Sequence, residues 1–367
     1  MIPDSPRKLA GQALIAGFPG QEPDVGLLGA AARGELGGFV LFRRNLGPPD
    51  EVAALTGRLW AAFPADLPPW IAIDQEGGRV QRLGPPVLQL PPMRVLGAID
   101  DQALTRSAGA LLGAQLAALG VNLDFAPVLD VDSNPDSPII GDRSFGADPE
   151  LCARHGIAFA EGLRQAGVAS CGKHFPGHGD AALDSHLALP RVSHDLERLQ
   201  RVELRPFALA AKQLTAIMTA HIVFDAVDPG RPATLSHKTL QGLLRGQIGF
   251  AGVLFSDDLL MKAIADHYGV AEAACEAVAA GCDAVLVCAQ PDICLQAHAA
   301  LCRRAEREPA FLARLREAAV RSLPARAGHA LRPLARETVA ARLHALDPGA
   351  LEQRIAEAAE RHVRAAS

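Results

Sequence analysis

What the chain lacks narrows its class before any motif is read. Its seven cysteines, Cys152, Cys171, Cys275, Cys282, Cys288, Cys294 and Cys302, include no CxxC pair, and their number is odd. They stand mostly in Ala/Val/Leu-rich surroundings, where buried free thiols are common, so neither a disulfide framework nor a structural zinc site is expected. No stretch approaches the roughly 18 uninterrupted apolar residues of a membrane span. The N-terminal "MIPDSPRKLAGQALIAGFPG" has no long apolar run behind a basic start, so no signal peptide is expected and a reducing cytoplasm is the consistent location. Basic charge is not in excess: the net charge is −5, which argues against nucleic acid or anionic membrane as the main partner. Neither GxGxxG nor GxxxxGK[ST] occurs, which deprives an open doubly wound sheet of its usual phosphate loop.

What is present is an ordinary globular balance, 49% hydrophobic and 21% charged over 367 residues. Eight short apolar runs recur: 13–18, 37–42, 70–74, 121–128, 167–175, 216–222, 252–257 and 283–288. Each is bounded by turn residues, as strands buried on both faces should be. Helical patterns lie between them. Leu104, Ala108, Leu111, Leu112 and Leu119 form one stripe, and Ile157, Ala160 and Leu163 another. Gly120, Gly167 and Gly281 stand where such helices end before the next strand. Eight β–α alternations predict an α/β fold, a single (β/α)8 TIM-type barrel over residues 1–305. Residues 306–367 are expected to add amphipathic helices packed on the barrel, interrupted at Pro324, Pro333 and Pro348.

In a parallel barrel, reactive groups belong at the C-terminal ends of strands, and polar residues fall there repeatedly. The third run leads into Asp74, Glu76, Arg79 and Arg82; the fourth into Asp130, Asp132 and Arg143. The fifth ends in Lys173 and His174, the sixth in His221, and the seventh in Ser256, Asp257 and Asp258. Any one of these could be a solvated strand end; five together point to a site. Strand parity puts Val253, Phe255 and Asp257 on one face. Asp257 is therefore expected at the barrel mouth as the reactive carboxylate, with Asp258 structural.

The segment "GKHFPGHGDAALDSHLALP" (172–190) holds three histidines and two aspartates. His174, His178, Asp180 and His186 could supply an N/O metal set, but the ammonium of Lys173 beside His174 opposes a bound cation. An acid/base reading fits better. Asp184 and His186, two residues apart, can pair so that the carboxylate fixes the tautomer and raises the basicity of the ring. Gly177 and Gly179 allow unusual backbone angles in this loop.

"KHFPGHGD" followed by "DSH", with "IDQEGGRVQRL", "GDRSFG", "FSDDLLM" and "AGCDAVLVC", closely resembles the family-3 glycoside hydrolases. Within them the chain is similar to the single-domain β-N-acetylglucosaminidases of peptidoglycan recycling, over roughly residues 10–300. The resemblance implies a retaining exo-glycosidase without a cofactor. Asp257 would be the nucleophile and His186, oriented by Asp184, the acid/base catalyst. Lys173, His174, Asp74, Arg82 and Arg143 would bind the sugar. The implied partner is a small-molecule muropeptide, N-acetylglucosamine linked to 1,6-anhydro-N-acetylmuramyl species, cleaved by a monomer. Substrate-assisted hydrolysis, phosphorolysis, another family-3 β-glycosidase, a metal-dependent hydrolase and a non-catalytic muropeptide sensor are the rival readings.

Overall fold

The computed structural model describes residues 2–135, 137, 139–180, 189–331 and 333–366. Eight parallel strands close into a barrel: β1 Leu14–Ala16, β2 Gly38–Leu41, β3 Trp70–Ile73, β4 Leu123–Asp124, β5 Ala169–Phe175, β6 Ala216–Thr219, β7 Val253–Asp258 and β8 Ala284–Val287. Seven of the eight predicted runs contain one of them, and the seventh, 252–257, falls one residue short of the strand that ends at Asp258. Closure is made by β1 against β8, with Leu14 opposite Val285 and Ile15 opposite Leu286. Strand order follows chain order around the ring, as right-handed β–α–β crossovers dictate.

Side-chain alternation divides the core in two. Ile15, Val40, Ala72, Leu123, Phe125, Met218 and Phe255 point into the barrel; Leu14, Phe39, Ile71, Ile217 and Leu254 point out to the helices. Phe255 meets Trp70 and Phe125 edge-on, with ring centroids 6.3 and 5.5 Å apart. These rings fill the barrel, so the cavity above them has a floor and the barrel is not a pore. All seven cysteines are buried and free. Gly120, Gly167 and Gly281 have φ of +76°, +81° and +139°, the left-handed helix endings that the sequence predicts.

The helix Pro309–Gly328 seals the end of the barrel opposite the cavity. Arg326, fully buried, donates to Gly37 O at 2.8 Å and to Gln12 Oε1 at 2.6 Å. Arg314 and Arg321 of the same helix, with Arg245, converge on the buried carboxylate of Asp283 just before β8. The expected break at Pro324 does not occur: Pro324 lies inside this helix. Pro324 and Val320, whose carbonyl loses its partner, both lie on the exposed face of the helix. Buried Leu323 and Arg326 hold the flanking turns in place. Pro333 and Pro348 do lie between helices, before Arg336–Ala345 and Gly349–Ala366. These last helices are tied down by Arg336 on Asp50, by Gln115 on Leu346 O and by the Gln89 N–H on Glu352.

Candidate active site

The C-terminal ends of the strands enclose a cavity of about 360 Å3. Its wall includes Asp74, Glu76, Arg82, Arg143, Lys173, His174, His178, Asp257 and Asp258, over a floor of Phe125, Met218 and Leu286. All the predicted sugar-binding positions, Asp74, Arg82, Arg143, Lys173 and His174, therefore line one cavity, and Asp257 lines it too. Asp184 and His186 lie outside the described residues.

Lys173, on β5, is almost wholly buried, and its Nζ lies 2.7 Å from Asp74 Oδ1 and 2.6 Å from Glu76 Oε1. Asp74 follows β3; Glu76 lies in the hairpin Gln75–Gly77 / Val80–Gln81 that folds over the barrel top. Burial pushes the Lys173 ammonium toward neutrality, but Asp74 and Glu76 outweigh it and raise its pKa. Burial likewise pushes Glu76 up, yet Arg143 and Lys173 hold it well below the usual carboxylate range. Arg143 grips Glu76 with two parallel bonds, Nε to Oε2 at 2.9 Å and Nη2 to Oε1 at 2.8 Å. Arg82 completes the chain, 3.4 Å from Asp74 Oδ2. Two carboxylates and three cations thus form a rigid charged wall whose outer oxygens and N–H groups can meet sugar hydroxyls. Beneath it, Asp124 accepts from the Gln75 N–H at 3.0 Å. Burial, with Asp74 and Glu76 close by, raises Asp124 well above its ordinary pKa.

The opposite wall is organised by Asp130, fully buried. Its Oδ2 accepts from the His174 backbone N–H at 3.1 Å and sits 2.7 Å from His174 Nδ1. Its Oδ1 accepts from the His178 N–H at 2.6 Å. One carboxylate therefore fixes both histidines, whose rings meet edge-to-face at 5.9 Å. Burial, then the neighbouring His174, lowers His178 to about 4, so it is neutral at pH 7. Gly177 has φ +130°, the unusual angle expected of it. Gly179 does not have a left-handed angle; it is small for a different reason. A Cβ there would lie 1.6 Å from Val131 O, so the loop crosses the backbone too closely for any side chain.

At the end of β7 the register against β8 shifts between Phe255 and Asp258. Asp258 turns back to accept from the N–H groups of Leu260 at 3.1 Å and Cys288 at 3.2 Å. Burial, with Asp257 adjacent, raises it to about 6. Asp257 accepts from the Asp258 N–H at 2.8 Å. Burial pushes Asp257 up, but the fields of His221 and His174 outweigh it and keep the carboxyl below its ordinary pKa. His221 itself is set by Thr234 Oγ1 at 2.8 Å and by Asp258 O at 3.0 Å. The cavity thus presents an ionised carboxylate with one oxygen open, which can act as a nucleophile or steady a developing cation.

Among the described residues, no group of three or more His, Cys, Asp or Glu side chains is arranged to hold a metal ion. The His174 ring is instead engaged by Asp130, whose other oxygen accepts from the His178 backbone N–H. Arg79 is at the surface rather than in the cavity and donates to Ile139 O at 2.6 Å. Asp132 is engaged by Arg94. Glu76, Asp130, His178, Phe42 and Lys262 belong to the site or hold it, although sequence reasoning gave none of them a sugar-binding role. Glu76 could have been found from its place two residues after Asp74; Phe42 and Lys262 carried no signal of their own.

The profile of the glycosyl hydrolase family 3 N-terminal domain matches residues 30–325. A β-hexosaminidase of Pseudomonas aeruginosa is 44% identical over 286 residues, 77% of this chain and 84% of that protein. A β-hexosaminidase of Neisseria gonorrhoeae is 42% identical over 266 residues, 70% of this chain and 73% of that protein. The family-3 β-N-acetylglucosaminidase of Paenibacillus sp. FPU-7 superposes with a TM-score of 0.85 at 39% identity, over 93% of this chain and 68% of that one. NagZ from Neisseria gonorrhoeae, in complex with N-trifluoroacetyl-D-glucosamine, superposes with a TM-score of 0.76 at 33% identity, over 95% and 98%. A closed barrel with a charged cavity at its mouth and relatives that are β-hexosaminidases lead to one conclusion: the chain is a glycoside hydrolase and belongs to glycosyl hydrolase family 3.

Proposed function

We propose that the chain is a retaining exo-β-N-acetylglucosaminidase that releases N-acetylglucosamine from 1,6-anhydro-N-acetylmuramyl fragments, with or without a peptide. The observation that carries this reading is Asp257, an ionised carboxylate facing a cavity of about 360 Å3. That volume is at the small end of small-molecule sites, roughly 300–1,000 Å3, and suits a terminal sugar rather than a long chain. Opposite Asp257, Asp74, Arg82, Arg143, Lys173 and His174 offer donors and acceptors to the ring hydroxyls and the acetamide. The Neisseria relative bound to N-trifluoroacetyl-D-glucosamine supports an N-acylated glucosamine as the occupant.

The reaction runs in two displacements. Asp257 Oδ attacks the anomeric carbon while His186, protonated and oriented by Asp184, delivers its proton to the leaving oxygen. The glycosidic C–O bond breaks and a glycosyl ester forms on Asp257. His186 then takes a proton from water, whose oxygen attacks the anomeric carbon and releases Asp257. The nearby cationic and imidazole groups keep Asp257 ionised, as the first step requires. A 2-deoxy-2-fluoro-glucosyl analogue with a good leaving group, its fluorine in place of the acetamide, tests this. Mass spectrometry of digested enzyme should find the sugar on the peptide carrying Asp257; its absence there, with turnover intact, would refute the nucleophile.

A further inference from the structure

The inference rests on the glycosidase reading above and concerns what lies beyond the scissile bond. The chain carries a net charge of −5, yet the outer rim of the cavity is cationic. Phe42 lines the cavity, and two guanidinium groups lie against its ring, Arg44 at 4.4 Å and Arg82 at 5.7 Å from the centroid. Arg44 is exposed and is anchored only by neutral acceptors, Phe18 O at 3.0 Å and Cys288 O. Lys262, also exposed, lines the cavity on the segment after β7. Among the described residues, neither Arg44 nor Lys262 is within ion-pair distance of a carboxylate. The acidic groups of the site are already committed: Asp74 and Glu76 to Lys173, and Glu76 also to Arg143. Arg44 and Lys262 therefore add uncompensated positive charge at the rim of a sugar cavity in which, Asp257 apart, the charges of Asp74, Glu76, Arg82, Arg143 and Lys173 are internally paired.

A neutral terminal sugar gains nothing from such a rim; an anionic group carried by the leaving half of the substrate does. We propose that Arg44, Arg82 and Lys262 select glycosides whose aglycone bears a carboxylate, with Lys262 setting the preference. The same carboxylate chemistry could sit on the sugar next to the bond or further out on an attached peptide. Because the charge is present in the ground state, the gain is expected mainly in KM, and it is screened by salt.

The test compares three aryl N-acetyl-β-glucosaminides on the full chain: 3-carboxy-4-nitrophenyl, its neutral 3-carbamoyl counterpart, and the carbamoyl compound extended by one glycine carboxylate. The expected kcat/KM ratio of acid to neutral substrate is about tenfold at low salt, falling toward unity near 0.5 M salt. Lys262→Ala should reduce the ratio about fivefold, and Lys262→Glu should take it below one. Ratios are formed within each variant, so a partly misfolded preparation does not alter them. Whichever acid shows the larger ratio places the recognised carboxylate near the bond or one residue out. A ratio near one in the unsubstituted chain, or one unmoved by Lys262→Glu, overturns the inference while leaving the glycosidase reading intact. No cleavage of any of the three glucosaminides overturns both.

Discussion

Lys173 Nζ lies 2.6 Å from Glu76 Oε1, and each side chain is about 3% exposed or less. Neither charge could be buried alone. Removing one partner of a buried pair leaves the other desolvated and uncompensated, which typically costs about 3–5 kcal/mol. Glu76→Gln should lower unfolding stability by about that amount in urea titrations, because it weakens the hold on both Lys173 and Arg143. A loss under ~1 kcal/mol would mean that the pair behaves as a solvated one.

Asp257 and Asp258 should separate cleanly by assay. Asp257→Ala removes the open carboxylate and is expected to cut kcat by about 10^4 or more, with N-acetylglucosamine still binding in calorimetry. Asp258→Ala leaves the N–H groups of Leu260 and Cys288 without their acceptor, and should cost about 1–3 kcal/mol of stability. Comparable kcat losses with no stability change in Asp258→Ala would reverse the two roles.

Asp258 also predicts a pH dependence. Its folded pKa is raised to about 6 from 3.8. The protonated form is therefore favoured in the fold, and this contribution is full below the unfolded value and is lost as pH rises through about 6. Asp258→Asn keeps an acceptor oxygen but cannot ionise. Relative to the unsubstituted chain it should gain about 1–3 kcal/mol between pH 4 and pH 7, read as a widening difference in denaturant midpoints. A difference that stays flat across that range would remove the assignment.

His186 falls outside the described residues, but the proposed acid role fixes how its loss should read. His186→Gln should slow substrates with poor leaving groups by about 10^2–10^4, and activated aryl glycosides far less, because a good leaving group needs no proton. Equal losses on both classes would argue that the imidazole binds and does not donate.

The eight strands were legible because each is a short aliphatic run between turn residues, and because a strand buried on both faces has no polar alternation to blur it. The clustering of Asp74, Arg82, Arg143, Lys173 and His174 was legible from barrel topology, which brings strand ends together. Other features were hidden. The hairpin of Gln75–Gly77 against Val80–Gln81 that brings Glu76 inward is made by a Gln/Glu/Gly-rich stretch with little strand character of its own. Strand parity would send Lys173 and His174 to opposite faces, yet both line the cavity, where the β5–β6 register shifts between Gly172 and Phe175. Pro324 reads as a break from sequence because a local penalty says nothing about which face is wet.

Gly179 supplies the sharpest steric test. A methyl group there would meet Val131 O at 1.6 Å, and that carbonyl belongs to backbone that cannot rotate away. The displaced segment carries the His178 N–H that Asp130 holds at 2.6 Å, and the same carboxylate positions His174. Gly179→Ala should therefore cost about 1–3 kcal/mol and raise KM by disturbing the histidine wall. Gly57, inside the helix Pro49–Ala61 with nothing within 4 Å of a built Cβ, is the control. Gly57→Ala should stabilise by up to about 1 kcal/mol through helix propensity and leave KM unchanged. If Gly179→Ala matched Gly57→Ala in both stability and KM, the close crossing at Val131 would not be what requires glycine.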